Sequence, residues 1–158
     1  TQVMVNYGKR FEIRFKEDWE KSFPDGVIER LPDQMTMYKG SENICDFICY
    51  DYPNQFYLEC KTHAGASIPF EAIPQYERML KLKGKQGIIA GVVLFLYEKF
   101  KVLFFPLETL DTLYKQGEKS IGLRHLGKYD ILEIPSEKLR KFMISDYRCI
   151  KEKYGENN

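Results

Sequence analysis

Hydrophobic residues follow two different spacings along the chain. Between Tyr7 and Ser22, the aromatic residues Phe11, Phe15 and Trp19 stand four positions apart, which predicts an amphipathic helix that a Pro-Asp-Gly turn ends. Apolar runs bounded by turn residues instead predict strands. These strands are predicted at 27–31, on both sides of a turn at 51–55, and at 87–97, 100–105 and 129–134.

Three further helices are predicted, at 67–83, 106–116 and 136–154. Pro74 lies either at a fresh helix start or at a kink in the first of them, and Ser136 is a candidate N-cap of the last. The polar segment 32–43 predicts a loop or a protruding β excursion. Helices alternating with strands indicate an α/β fold, and 158 residues with 44% hydrophobic content are enough for one well-packed domain covering 1–158.

Charge, cysteine spacing and apolar run length bear on the binding partners and the cellular location of the protein. A formal net charge of +1 gives no overall sign of a nucleic-acid partner, so any DNA-binding surface must come from local clusters of Lys and Arg. The four cysteines have no metal-ligand spacing with each other or with His63 or His125, which argues against a zinc site and for reduced, structural thiols. No apolar run has the length of a membrane span and no secretion signal is evident, so we expect an intracellular protein without membrane contact.

Candidate chemistry lies in the hairpin formed by the two runs around 51–55. Asp46 lies in the first run, and Glu59 and Lys61 lie two positions apart in the second. Side chains alternate along a strand, so Glu59 and Lys61 project to the same side and Asp46 can stand opposite them. Two carboxylates are typical ligands of Mg²⁺, and an ammonium beside them can orient a water and stabilise developing negative charge. The alternative is an edge hairpin whose charged residues face solvent.

Several segments between Asn6 and about Phe105 carry a recognisable family pattern. They are Asn-Tyr-Gly-Lys-Arg-Phe-Glu at 6–12, Cys-Asp-Phe at 45–47, Leu-Glu-Cys-Lys-Thr at 58–62, Ser-Ile-Pro-Phe at 67–70, and Gln75. Together they resemble the RecU-type Holliday junction resolvases, within the PD-(D/E)xK nuclease superfamily. The separation of the Asp from the Glu fits the two active-site strands of that family. Cys45 stands where the superfamily has a nominal Pro, at a position that varies among its members.

The resemblance implies a restriction-endonuclease-like core, with a mixed central β-sheet flanked by helices. It implies that Asp46 and Glu59 ligate Mg²⁺, with Mn²⁺ as the open alternative, and that Lys61 contacts the attacking water or the scissile phosphate. Glu12 would complete the acidic cluster as a metal ligand from the first helix, or else be an ordinary residue on that helix's polar face. Gln75 would hydrogen-bond the lysine, a metal-bound water or DNA.

Candidate DNA contacts are cations that would pair with phosphates and hydroxyls that would donate to phosphate oxygens, which gives salt-sensitive binding. These candidates are Lys9, Arg10, Arg14, Lys39, Thr62, Ser67, Arg78 and Lys81. The alternative is a solvated helix face for the cations, and capping or turn formation for the hydroxyls. In the family a protruding stalk enters the junction centre, and 31–43 occupies the corresponding place as a short stalk or protruding loop.

The function that the resemblance implies is metal-dependent, structure-selective hydrolysis of DNA phosphodiesters, which resolves four-way junctions in recombination and repair. Symmetric cutting needs two active sites, which a two-fold homodimer supplies. Two alternatives stay open: a restriction- or repair-type endonuclease on the same fold, and a non-catalytic DNA-binding or protein-interaction module. Proteins of this family are encoded by bacteria and phages. The resemblance therefore implies that this protein is located in the cytoplasm of a bacterial cell, or of the host cell if it is phage-encoded.

Overall fold

The computed structural model describes residues 5–33, 42–140 and 142–156. Its first helix, α1, spans Tyr7–Ser22, as the aromatic spacing predicts. The Asn6 side chain caps this helix by accepting a hydrogen bond from the Lys9 backbone N–H at 3.0 Å. The three aromatic residues spaced four apart are buried, so α1 presents one apolar face to the rest of the molecule.

The described residues form ten strands and three more helices. In chain order the strands are β1 Val27–Arg30, β2 Phe47–Asp51, β3 Asn54–His63, β4 Ser67–Pro69, β5 Ile88–Leu96, β6 Lys101–Pro106, β7 Ser120–Gly122, β8 Leu132–Glu133, β9 Ser136–Lys138 and β10 Met143–Ser145. The helices are α2 Gln75–Met79, α3 Leu107–Lys115 and α4 Arg148–Tyr154. The hairpin, the two long apolar strands and the helix after them confirm the predictions made for those segments.

Six strands form one mixed sheet in the order β1-β2-β3-β5-β6-β8. β3 is parallel to β5, and the other neighbouring pairs are antiparallel. β4 pairs with β7, and β9 pairs with β10, in two smaller sheets. This mixed central sheet with flanking helices is the α/β architecture that the sequence predicts.

The two faces of the central sheet pack against different helices. Along β5, Val93 and Phe95 pack with the aromatic residues of α1, whereas Val92 and Leu94 pack with residues of α2 and α3. Alternation places successive side chains on opposite faces of a strand. Because both faces are covered, β5 is almost entirely buried, which explains why its sequence is a continuous apolar run.

The helix predicted at 67–83 is wrong. Its residues form β4, a 3₁₀ turn at Phe70–Ala72, the short helix α2 and a second 3₁₀ turn at Leu80–Leu82. A residue that precedes a proline avoids the helical region, and Ile73 accordingly has φ −124° and ψ 60°. Pro74 is the N-cap of α2, so it marks a fresh helix start and not a kink.

The terminal helix predicted at 136–154 is also wrong in its first half. β9 and β10 form a hairpin there, in which Met143 and Ser145 are buried and the residue between them is exposed. Ser136 lies in β9 and its hydroxyl donates to a backbone carbonyl, so it caps no helix. The strand predicted at 129–134 is reduced to the two residues of β8.

Most of the predicted stalk at 31–43 lies outside the described residues. Within the part of the chain that the structure does describe, no helix is both long and apolar enough to cross a lipid bilayer. All four cysteines are free thiols, as predicted, and three of them are buried.

Candidate active site

The candidate site lies where β2 and β3 separate. The two strands pair only as far as Phe47 and Leu58. Beyond that pair, the Asp46 carboxylate accepts a hydrogen bond from the Cys60 backbone N–H, with 2.9 Å between Oδ2 and N. The backbone carbonyl of Asp46 also accepts a hydrogen bond from Leu31 N–H at 2.8 Å. Asp46 is therefore fixed between the end of β1 and the middle of β3.

Glu59 and Lys61 project from β3 to the same side of the sheet, as strand alternation predicts. Lys61 Nζ lies 3.5 Å from Glu59 Oε2. Glu59 is 3% exposed, whereas the Lys61 side chain keeps 21% of its surface in contact with solvent. The ammonium therefore lies between a buried carboxylate and the open side of the site.

Burial and a neighbouring carboxylate both act on the Glu59 carboxyl. Burial and the charge of nearby Asp46 raise the pKa of the Glu59 carboxyl to about 8, although Lys61 opposes this shift. Two carboxylates this close can both ionise readily only when a further positive charge is present. The electrostatics of the site therefore favour the binding of a cation.

A guanidinium lies between Asp46 and Glu12. Arg30 Nη2 donates to both oxygens of Glu12, at 3.1 and 3.0 Å, and lies 3.9 Å from Asp46 Oδ1. Arg30 Nη1 contacts the Leu31 carbonyl and lies 3.0 Å from Asp33 Oδ1. Burial raises the pKa of Glu12, and the hydrogen bond from Arg30 opposes the rise. The pairing of β1 with β2 is what brings Arg30 beside Asp46.

Asp46, Glu59 and Gln75 line a cavity of about 160 Å³ that Arg30 and Arg78 also line. Gln75 begins α2, and its buried Oε1 has no hydrogen-bond partner among the described residues. A buried acceptor without a partner is costly, so its presence needs an explanation. Two carboxylates and an amide oxygen are the hard oxygen donors that Mg²⁺ prefers. The residues of this cavity therefore fit a divalent cation.

The third predicted carboxylate ligand is engaged elsewhere. Glu12 projects from α1, and its carboxylate is paired with Arg30. In the described ranges, no group of three His, Cys, Asp or Glu side chains is arranged to hold a metal ion. The described residues therefore bring together Asp46, Glu59, Lys61 and Gln75, and Arg30 joins Glu12 to Asp46.

A groove of about 880 Å³ runs along α1 and reaches the same site. Lys9, Lys61 and Thr62 line it, together with Glu12 and Arg30. Two of the predicted DNA contacts, one cation and one hydroxyl, therefore lie beside the predicted catalytic lysine. The groove gives an extended ligand access to the site from the α1 side.

The other predicted DNA contacts are not gathered at one place. Arg78 lines the same cavity as Asp46 and Glu59, and its Nη1 donates to Glu42 Oε2 at 2.7 Å. Ser67 pairs with Gly122 and lines neither the cavity nor the groove. Helical segments carry three further candidates that also line neither: Arg10, Arg14 and Lys81. Lys39 lies outside the described residues.

Arg30 is the site residue that the sequence patterns do not identify. In the sequence it is an ordinary cation at the end of a short strand. The antiparallel register between β1 and β2 places it beside Asp46, and the packing of α1 against β1 brings Glu12 to it. A local pattern contains no information on that register, because it depends on which two strands pair.

Comparisons with known proteins support the fold. No protein-family model matches the chain, and no curated protein matches it significantly. Among solved structures, it is similar to Hjc, a Holliday junction resolvase from the archaeal hyperthermophile Archaeoglobus fulgidus, with a TM-score of 0.57. The sequence identity is 19%, and the match covers 77% of this chain and 93% of Hjc. The chain therefore has the restriction-endonuclease-like α/β fold that its sequence predicts.

Proposed function

We propose that this protein is a metal-dependent, structure-selective DNA endonuclease that resolves four-way junctions in recombination and repair. The observation that carries the proposal is the convergence of Asp46, Glu59 and Lys61 where β2 and β3 separate. The similarity of the fold to that of Hjc supports the same class of activity. An electrostatic preference for a cation at Glu59 supports the metal dependence.

Each residue has a role that follows from its position. Asp46 and Glu59 would hold a divalent cation, and Gln75 Oε1 would supply a further oxygen donor from α2. A bound Mg²⁺ would lower the pKa of a water and withdraw charge from the scissile phosphate. Lys61 would donate to the attacking water or to a phosphate oxygen, because its ammonium lies beside Glu59 on the open side of the site.

The groove along α1 would receive the DNA strand that is cut. Lys9 would pair with a phosphate and Thr62 would donate to a phosphate oxygen, since both line the groove beside Lys61. Binding through such contacts reads the backbone and weakens as salt increases. Arg10, Arg14, Ser67 and Lys81, which line neither the cavity nor the groove, would contact the outer arms of a branched substrate. Arg78 would pair with a phosphate near the cut, because it lines the cavity, and Lys39 would contact DNA from within segment 31–43.

Within this class we propose a RecU-type enzyme, on the motifs that the chain carries between residue 6 and Gln75. Paired cuts across a junction require two active sites in a fixed relation, which we propose that a homodimer of this single domain provides. Segment 31–43 would enter the junction as a stalk. Such an enzyme would act inside the cell that contains its DNA, either a bacterium or the host of a phage.

Cleavage of a labelled four-way junction, compared with a linear duplex of the same sequence, tests the proposal. We expect paired nicks on the junction alone, with 5′ phosphates and 3′ hydroxyls that ligase can join. Cleavage should require Mg²⁺ or Mn²⁺ and should be lost in EDTA. Glu59→Gln should abolish it, and Glu108→Gln, an exposed carboxylate on α3, should leave it unchanged.

Two outcomes would contradict the proposal and favour the alternatives. Equal cutting of junction and duplex, or cutting at a defined sequence in both, would indicate a restriction- or repair-type endonuclease. Tight binding of the junction without cutting under any divalent cation would indicate a DNA-binding module. The Glu59→Gln variant also separates a true activity from a contaminating nuclease, because a contaminant would be present in both preparations.

A further inference from the structure

Arg30 is a fixed cation inside the candidate site. Its Nη2 donates hydrogen bonds to both oxygens of Glu12, at 3.1 and 3.0 Å, and lies 3.9 Å from Asp46 Oδ1. Its Nη1 contacts Asp33 and the Leu31 carbonyl. A guanidinium remains charged at every pH that a protein tolerates. Its contacts join α1, β1 and the segment that leads into β2.

Partial burial strengthens this arrangement. The side chains of Arg30, Glu12 and Asp46 are 28%, 23% and 18% exposed. Charges that are partly removed from water interact more strongly and are screened less by salt than charges on the surface. Both Glu12 oxygens accept hydrogen bonds from Arg30, whereas Asp46 Oδ1 lies 3.9 Å from the guanidinium, so a divalent cation would have to displace Arg30 to reach Glu12 but not to reach Asp46. The pair Glu12–Arg30 therefore disfavours a metal ion at Glu12.

The charge of the partly buried groups agrees with one divalent ion. These groups are the carboxylates of Glu12, Asp46 and Glu59 and the cations Arg30 and Lys61, whereas the Asp33 side chain is 91% exposed. When all five are ionised, three negative charges against two positive charges leave −1. Arg78, which lines the cavity, is already paired with Glu42. A single divalent cation already reverses this charge, so a second would be repelled.

We propose that Arg30 is a positioning residue that takes the place of a second metal ion. It holds Glu12 and orients Asp46, so that the site binds one divalent cation at Asp46 and Glu59, and Glu12 is not a ligand. This inference rests on the proposed metal dependence of the enzyme. It predicts that removing the guanidinium frees the Glu12 carboxylate and creates a second, weaker cation site.

Counting bound Mn²⁺ tests the inference without measuring cleavage. Electron paramagnetic resonance and calorimetric titration would be applied to the wild type, Arg30→Gln, Glu12→Gln and the double variant. We expect one ion in the wild type, two in Arg30→Gln, and one again in the double variant. Glu12→Gln alone should bind one ion with an affinity within about threefold of the wild type, because even the loss of a residue that only orients a ligand costs about 10–100-fold and a true ligand should cost at least as much.

Arg30→Lys is the conservative variant and keeps a positive charge beside Glu12. We expect it to bind one ion, which distinguishes the loss of charge from a general disturbance of the fold. Circular dichroism and thermal unfolding of each variant would show that it is folded. If Arg30→Gln does not fold, Glu12→Gln and Arg30→Lys still decide the question, since neither removes the cation.

The possible failures can be told apart. Two ions in the wild type, a tenfold loss of affinity in Glu12→Gln, or one ion in a folded Arg30→Gln would each overturn the role of Arg30 and leave the proposed metal dependence intact. No ion in the wild type would overturn the proposed metal dependence itself, and this inference with it.

Discussion

The Asp46 carboxylate accepts a hydrogen bond from the Cys60 backbone N–H across the point where β2 and β3 separate. Oδ2 thus links the segment before β2 to β3 by a hydrogen bond, while Oδ1 lies 3.9 Å from Arg30 Nη2. A side chain that is proposed to bind a metal is therefore also part of the backbone hydrogen-bonding of the sheet. Substitution at this residue can separate the two roles.

Asp46→Asn should abolish cleavage with little loss of stability. The amide keeps an oxygen for Cys60 N–H but loses the charge, so we expect the free energy of unfolding to stay within about 1 kcal/mol of the wild type. Junction cleavage should fall by about 100-fold or more. Asp46→Ala should also cost about 1–3 kcal/mol, because Cys60 N–H loses its partner. Urea unfolding and cleavage assays would measure both Asp46 variants beside Asp25→Asn, a control in an exposed turn.

Lys61→Met should lose cleavage and keep cation binding. The ammonium lies 3.5 Å from Glu59, so its removal takes away a positive charge that competes with a metal ion. We expect Mn²⁺ affinity equal to or higher than that of the wild type, and cleavage about 10²–10³-fold slower. Lys128→Met, on the surface, is the matched control. A parallel loss of Mn²⁺ affinity and cleavage would show that the lysine supports the metal site and not the reaction.

Gln75→Met should reduce the stabilisation that Mg²⁺ gives. In EDTA the variant should be at least as stable as the wild type, because an apolar side chain of similar size replaces an unpartnered buried oxygen. On addition of Mg²⁺ the wild type should gain more in Tm than the variant, since at a given concentration a ligand that binds more tightly stabilises the folded state more. Differential scanning calorimetry measures both. Equal gains in Tm would exclude Gln75 from the cation site.

Asp111 should stabilise the protein in a pH-dependent way. It is buried on α3, where Lys83 Nζ and the Tyr76 hydroxyl donate to it, and these hydrogen bonds hold its pKa below the usual range. A carboxyl whose pKa is lowered by folding contributes its stability above the unfolded pKa of about 4, and loses it as the pH falls toward the folded pKa.

Asp111→Asn should therefore cost about 1–2 kcal/mol at pH 7, because the variant keeps the bond from Tyr76 and its lysine partner is partly exposed. The difference from the wild type should shrink steadily below about pH 4. Urea unfolding between pH 2 and 7 measures it, with Glu108→Gln on the same helix as a control. A stability difference between wild type and variant that stayed constant down to pH 2 would show that it does not come from the lowered pKa of Asp111.

Local patterns predicted the elements in which a single spacing of hydrophobic residues holds from one end to the other. The bounds of α1 follow from aromatic residues on a single face between Asn6 and Phe23. β5 and β6 follow from continuous apolar runs, because strands covered on both faces need no polar positions. The same alternation put Glu59 and Lys61 on one side of β3, so half of the candidate site could be predicted from the sequence.

Tertiary pairing determined the segments that the patterns did not predict. Ser67–Pro69 is a strand because it pairs with Ser120–Gly122, far along the chain. β10 is held by α1, where Asp18 Oδ2 accepts a hydrogen bond from Ser145 N–H at 2.9 Å. Arg30 enters the site for the same kind of reason. Local sequence specifies neither partner in such a pair, so these features became visible only in the folded chain.

The pairing of β2 with β3 also limits how the chain can change its length. Inserting one residue within the paired part of β2 or β3, outside the turn at 52–53, would shift the register and turn Glu59 toward the face that α1 covers, whereas inserting two would restore its direction. Natural insertions within these paired segments should therefore contain an even number of residues. Position 60 is constrained differently: its main-chain N–H binds Asp46, so a small apolar residue other than proline can supply the contact while fitting the core beneath α1. Related sequences should therefore vary among small apolar residues at position 60 and place changes of length in the turn between the two strands.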